Sequence, residues 1–193
     1  MKLVTVMIPT RKRLGKLRAT LEKLHASKTS ENFDTIVMMD LDDAETIAAI
    51  PEIEAHPNTR VITGPRLGYS ELDIGYFARM ERESESEFVW IGGDDMLVDG
   101  DWYGELDKVP RTGFIVQPEI SKLGFSTYPR AHAQAFPIFP KFCWKAVSEF
   151  FPRPFDTHGD FLLKKAGWKT WFLEGVTMWH DRPSHAEIQE HRK

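Results

Sequence analysis

Four apolar runs separated by helical stripes constrain this chain more than any other feature of its sequence. Leu3-Val4-Thr5-Val6-Met7-Ile8 is continuous and rich in β-branched residues, as expected of a strand buried on both faces. Leu14, Leu17, Leu21 and Leu24 then recur at helical spacing. Thr35–Met39 is a second buried strand, followed by a short helical stretch near Ala44–Ile50, and Arg60–Thr63 is a third strand. Leu72, Tyr76, Phe77 and Met80 give another helical stripe, and Phe88-Val89-Trp90-Ile91 is a fourth strand, stopped by Gly92-Gly93. Alternating strands and helices with short connections predict an α/β fold. Right-handed crossovers would join the parallel strands, with helices on both faces of the sheet.

From about residue 110 the pattern changes. Prolines at 110, 118, 129, 137, 140, 152 and 154 interrupt short strand-like pieces such as Phe114–Gln117. Helical stretches are expected near Lys141–Phe150 and Asp160–Ala166, the second closed by Gly167, and a last strand over Val176–Trp179. This half is expected to be irregular and draped against the sheet.

Length and composition fit one domain over residues 1–193. A chain of this size buries about 70 % of its unfolded surface without disulfides, and the single cysteine, Cys143, reads as a small core hydrophobe beside Trp144. No stretch approaches the roughly 18 apolar residues needed to cross a bilayer. The first apolar run ends at Pro9 with basic residues after it, the reverse of a signal peptide. The expected location is the cytoplasm.

Parallel sheets collect ligands beyond the carboxyl ends of their strands. After the first strand stand Pro9, Thr10, Arg11 and Arg13; after the second, Asp40, Asp42 and Asp43; after the third, Gly64, Arg66 and Gly68; after the fourth, Gly92, Gly93, Asp94 and Asp95. Carboxylates, arginines and glycines thus converge on one edge. The glycines let backbone approach a ligand, and the aspartates offer the hard oxygens preferred by Mg²⁺ or Mn²⁺. Asp99 and Asp101 read as caps of the helix near Trp102. A net charge of −4 hides a basic opening, with Lys2, Arg11, Lys12, Arg13, Lys16, Arg18, Lys23 and Lys28 against Glu22 alone in residues 1–30. That opening suits either an anion site or a solvated helix face.

These motifs, in this order, carry a resemblance. Val4–Arg13 resembles the opening strand and turn of the nucleotide-sugar glycosyltransferases with the GT-A fold, in the large family 2-like group of inverting enzymes. Ile36–Asp40 is similar to their second strand, and Phe88–Asp95 resembles the strand leading into their DxD metal motif, with Gly92 where the first aspartate stands. The resemblance covers roughly residues 3–107. It implies a Rossmann-related three-layer sandwich with a mostly parallel central sheet, a nucleotide-sugar-binding half to about residue 107 and an acceptor-side half from about residue 108.

The roles it implies are specific. Pro9, Thr10 and Asp40 would meet the nucleoside, Arg13 and Arg66 the base or diphosphate, and Gly93 and Asp94 the ribose or diphosphate. Asp94, Asp95 and His180 would hold Mn²⁺ or Mg²⁺. Asp156-Thr157-His158-Gly159-Asp160 is similar to the acceptor-side acidic motif, with Asp160 as general base and Asp156 as its alternative. His158, His132 and His185 are weaker metal candidates. The basic, aromatic stretch Ser121–Phe155 is either an acceptor platform or core.

The implied reaction is metal-assisted, inverting transfer from a UDP-sugar to a hydroxyl of a glycan, lipid head group, protein, small molecule or modified nucleic acid. The brevity of the chain is compatible with a homo-oligomer that shares acceptor surface. A metal-dependent phosphoesterase or nuclease built on Asp94, Asp95 and His180 remains an alternative, as does a degenerate sugar-nucleotide or glycan-binding domain.

Overall fold

The first apolar run becomes β1 (Val4–Thr10), buried over almost its whole length. A computed structural model describes residues 2–26, 32–67, 72–123, 126–129, 136–148 and 163–180. The leucine stripe forms α1 (Leu14–His25), which buries Leu14, Leu17, Leu21 and Leu24, and Lys23 in its last turn complements the helix dipole. Then come β2 (Asp34–Asp40), α2 (Ala44–Ala48), α3 (Ile50–Ile53) and β3 (Thr59–Gly64). A π-helical turn (Leu72–Phe77) runs into α4 (Ala78–Glu83), and β4 (Phe88–Ile91) follows. These four strands lie side by side in the order β3-β2-β1-β4, all parallel.

The chain continues through β5 (Met96–Asp99), α5 (Trp102–Asp107), β6 (Phe114–Leu123), β7 (Ser126–Pro129), β8 (Ile138–Pro140), α6 (Lys141–Ser148) and β9 (Lys169–His180). The second half does more than drape against the sheet: it extends it to nine strands in the order β3-β2-β1-β4-β8-β6-β9-β5, with β7 paired to β6. Prolines do not prevent this because of where they fall. Pro129 and Pro140 end β7 and β8, and the register of β6 on β9 shifts between Pro118 and Ile120. Strand ends and bulges are the positions that tolerate a missing N–H donor. Beyond this point β8 runs antiparallel to both β4 and β6, and β5 antiparallel to β9.

Two apolar layers cover the sheet. One face packs Leu17, Leu21 and Leu24 of α1, Ile53 of α3 and Trp102 and Leu106 of α5 against Val6, Val37, Trp90 and Val116. The other packs Tyr76, Phe77, Met80, Cys143, Trp144 and Leu163 against Met7, Ile36, Val89 and Ile115. Burial pushes the Cys143 thiol up to about 11, so it is a core residue as read from the sequence. Among the described residues no helix is long and apolar enough to cross a membrane.

Asp101 caps α5, accepting from the Gly104 N–H at 3.0 Å. Asp99 does not cap; it closes β5 and pairs with Lys23 at 2.7 Å. Trp102 anchors α5, with its ring edge-on to Trp90 and Phe33 at centroid distances of 5.0 and 4.8 Å. Trp102→Ala should cost about 3–5 kcal/mol, read as a lowered midpoint in urea with the slope unchanged.

Candidate functional site: two acid centres held by one arginine turn

Between β1 and α1 the chain turns through Arg11, Lys12 and Arg13. Lys12 takes a left-handed backbone (φ 55), which costs a residue with a side chain roughly 1–2 kcal/mol. The cost is offset by a clamp. The Lys12 N–H donates to Asp43 Oδ2 at 2.6 Å, and buried Asp43 also accepts from the Thr46 N–H and hydroxyl at the start of α2. The turn splays its two arginines toward different strands. Arg11 meets Asp40 Oδ2 through Nε at 3.1 Å and Asp42 through Nη2 at 2.9 Å. Arg13 bridges the other pair, Nη1 to Asp94 Oδ1 at 2.8 Å and Nη2 to Asp95 Oδ2 at 2.7 Å.

Each acid centre has further partners. Asp40 Oδ1 accepts from the Tyr76 hydroxyl at 2.5 Å, and that hydroxyl accepts from the Leu67 N–H at 2.9 Å. Asp94 Oδ2 accepts from the Thr10 hydroxyl at 2.8 Å, and the Asp94 carbonyl accepts from the Thr20 hydroxyl of α1 at 3.0 Å. Register supplies the last member. Pairing of β5 with β9 sets Met96 opposite His180, so the imidazole arrives beside the residue preceding Met96, with Nε2 at 3.5 Å from Asp95 Oδ2. Its ring lies edge-on to Phe136 at 4.8 Å, and Nδ1 is buried without a hydrogen-bond partner.

The two aspartates titrate apart. Burial pushes the Asp94 carboxyl up to about 7; Arg13 opposes this, the Asp95 charge adds to it and the Thr10 hydroxyl opposes it. Burial also acts on Asp95, but hydrogen bonds from His180 and Arg13, and their charges, outweigh it and hold that carboxyl below the usual value.

The two glycines before the acids are required by close approach. Gly92 donates to the Met7 carbonyl at 2.9 Å, and a Cβ at 92 would lie 2.9 Å from that same oxygen. A Cβ at 93 would lie 2.7 Å from the Phe136 ring and 3.0 Å from Asp95 Oδ1. Position 92 therefore has no room for the first aspartate of a DxD motif.

Of the residues singled out from sequence, Pro9, Thr10, Arg13, Asp40, Gly93, Asp94, Asp95 and His180 lie along this edge or its immediate support. Arg66 is exposed after β3. It assists Arg11, the main cause, in holding Asp42 below its usual range. Asp156, Asp160, His132, His158 and His185 lie outside the described residues. Of the aromatics in Ser121–Phe155, Phe139 and Trp144 are core, while Phe142 is 56 % exposed. In the basic opening, Arg11 and Arg13 turn to buried carboxylates, while Arg18 and Lys23 pair with exposed ones. Sequence reasoning placed Asp43 on this edge without a role and missed Tyr76 and Thr20 as site supports. The signal for Tyr76 was its hydroxyl, an unneeded atom in an apolar stripe.

The donor types here, two carboxylates and an imidazole, are ones that a divalent cation accepts. Neighbouring ligands of an octahedral ion with bonds of about 2.1 Å lie about 3 Å apart, close to the separation of Asp95 Oδ2 and His180 Nε2. Asp94 would add a second hard oxygen. Among the described residues no group of three or more His, Cys, Asp or Glu side chains is gathered as a ready-made cage, so remaining positions would fall to ligand and water oxygens.

No protein-family model and no curated protein matches the chain. Solved structures do. A mannosyltransferase, PcManGT from Pyrobaculum calidifontis, in complex with GDP-Man and Mn²⁺, superposes over 98% of this chain and 60% of its own, with a TM-score of 0.71 and 15% identity. S. aureus TarS 1-349 in complex with UDP superposes over 99% of this chain and 63% of its own, with a TM-score of 0.67 and 14% identity. The fold is GT-A. GalNAc-T7 with UDP, GalNAc and Mn²⁺ shares this GT-A fold over 93% of this chain and 44% of its own, at a TM-score of 0.71 and 9% identity. The chain thus spans about three fifths of the length of the first two.

Two outcomes follow from the geometry. Gly92→Asp should be destabilised by about 2 kcal/mol or more, from overpacking against β1 and a newly buried charge, read by chemical denaturation. Burial raises the Asp94 carboxyl from 3.8 in the unfolded chain to about 7 in the folded one. Its contribution to stability is therefore full below pH 3.8 and lost as pH rises through 7. The melting temperature of Asp94→Asn should gain on the parent protein between pH 5 and pH 8; a gap independent of pH would contradict the shift.

Proposed function

We propose that this chain is the catalytic domain of a glycosyltransferase that moves a sugar from a nucleoside-diphosphate sugar to a hydroxyl acceptor. The observation that carries the reading is the meeting of Asp94, Asp95 and His180 at the carboxyl edge of a GT-A sheet, one turn away from a second buried carboxylate at Asp40. Support comes from the GT-A neighbours, whose complexes contain GDP-Man, UDP, GalNAc and Mn²⁺.

In this reading Pro9, Thr10 and Asp40 face the nucleoside, with Arg66 at the rim. Asp40 is pre-aligned by Tyr76 and Arg11, which fixes its carboxylate plane before ligand arrives. Gly93 lets the backbone approach the diphosphate, and Arg13 provides positive charge to it. Asp94, Asp95 and His180 hold Mn²⁺ or Mg²⁺. When bound, that ion supplies electrostatic stabilisation of the departing diphosphate. Asp160 is the proposed base that takes the acceptor proton, with Asp156 its alternative; inversion and a UDP donor are the expected forms of the reaction. A second copy of the chain would supply acceptor surface if the protein works as a homo-oligomer.

Titration with UDP and GDP, with and without Mn²⁺, tests this directly. Binding that is strengthened at least tenfold by Mn²⁺, and lost in Asp94→Ala, is the expected result. Asp160→Asn should retain that binding and lose transfer by about 10²–10⁴-fold, measured as release of nucleoside diphosphate in the presence of acceptor. Metal-dependent nucleotide binding without turnover would mark a binding module. Phosphodiester cleavage without nucleoside-diphosphate binding would mark a phosphoesterase.

A further inference from the structure

The carboxylates at the proposed metal position already have a cation. Arg13 contacts both of them, at 2.8 and 2.7 Å, and its side chain is only 17% exposed. A fork of this kind matches two carboxylate oxygens in a way a point charge cannot. The remaining Asp94 oxygen holds the Thr10 hydroxyl, and Asp95 Oδ2 faces His180 as well as Arg13. A divalent cation entering alone would have to separate this fork and then sit beside a guanidinium. Repulsion between those like charges in a poorly solvated site is strong. A nucleoside diphosphate entering alone would meet two acidic side chains and a single arginine already committed to them. Arriving together, the two ligands exchange partners: the metal takes the carboxylates, and the diphosphate takes the guanidinium.

We propose that Arg13 is a placeholder cation that makes binding of the divalent metal and of the nucleoside diphosphate mutually dependent. The inference rests on the glycosyltransferase reading and adds to it a coupling residue. The turn is built for such an exchange. Its backbone is fixed by the Lys12–Asp43 clamp, and the neighbouring Arg11 is held separately on Asp40 and Asp42. Arg13 can therefore change partner through its own side-chain torsions. By linkage, whatever factor the metal adds to nucleotide affinity, the nucleotide adds to metal affinity.

The test uses the full chain, with Mn²⁺ alone followed by the free-ion EPR signal and with UDP and GDP followed by calorimetry in EDTA or in Mn²⁺. Arg13→Gln should bind Mn²⁺ alone at least tenfold tighter than the parent protein. The factor by which Mn²⁺ strengthens nucleotide binding should fall at least tenfold. Arg13→Lys keeps the charge without the fork and should lie between the two, which also covers the case in which Arg13→Gln fails to fold. A purely structural ion pair predicts the opposite pattern: Mn²⁺ affinity unchanged or weaker, with the coupling factor preserved in both variants. That result overturns the proposal and leaves the glycosyltransferase reading intact. If the parent protein binds neither nucleotide under any condition, both fall.

Discussion

The Arg13 fork is the interaction on which the rest of the site depends. Asp94 and Asp95 are adjacent, 3 and 6 % exposed, and the Asp95 charge helps push the Asp94 carboxyl up. Two neighbouring buried carboxylates are tolerable only with a cation in contact, since leaving a buried charge unpaired costs about 3–5 kcal/mol. Supplying that cation from the β1–α1 turn ties the end of β4 to the start of α1. Thr10 and Thr20 tighten the same link from either side of the turn. The left-handed backbone at Lys12 lets one short turn serve two strands, sending Arg11 to the end of β2 and Arg13 to the end of β4.

Much of the first half was legible because β1, β2 and β4 are buried on both faces. Such strands are written as unbroken apolar runs, and their helices as leucine stripes, so neither needs long-range information. The gathering of carboxylates, arginines and glycines on one sheet edge followed from the same reading. β5 and β9 were less legible. Met96-Leu97-Val98-Asp99 looks like a turn entering a helix, and the prolines of the second half disguise strands whose bulges and ends accommodate them. The pairing of β5 with β9 joins segments remote in sequence, and it alone brings His180 to Asp95. A lone histidine at the end of a strand gives no hint of which acid it will meet.

The charge pattern gives a second lesson. Eight basic residues in the opening thirty suggest a surface for anions, yet the structure spends several of them on internal partners: Arg11 on Asp40 and Asp42, Arg13 on Asp94 and Asp95, Arg18 on Glu52, Lys23 on Asp99. Among these, only Asp40, Asp94 and Asp95 are buried carboxylates, and they line the candidate site. The exposed pairs are worth little for stability. What distinguishes the two kinds is the burial of the carboxylate, which composition cannot reveal but a preceding apolar strand can.

Gly92 has a consequence for how this site could change over evolutionary time. The spacing between β1 and β4, set by a hydrogen bond to the Met7 carbonyl, leaves no volume for a side chain at that position. A lineage carrying this arrangement cannot acquire a first-position acid by a single replacement, because the strands would have to part before the new carboxylate had any ligand to repay the strain. In the proposed metal site, refinement of affinity would fall instead to residues outside the β4 loop, foremost the histidine delivered by β9. Strand spacing, rather than the choice of side chains alone, thus limits which donors such a site can recruit.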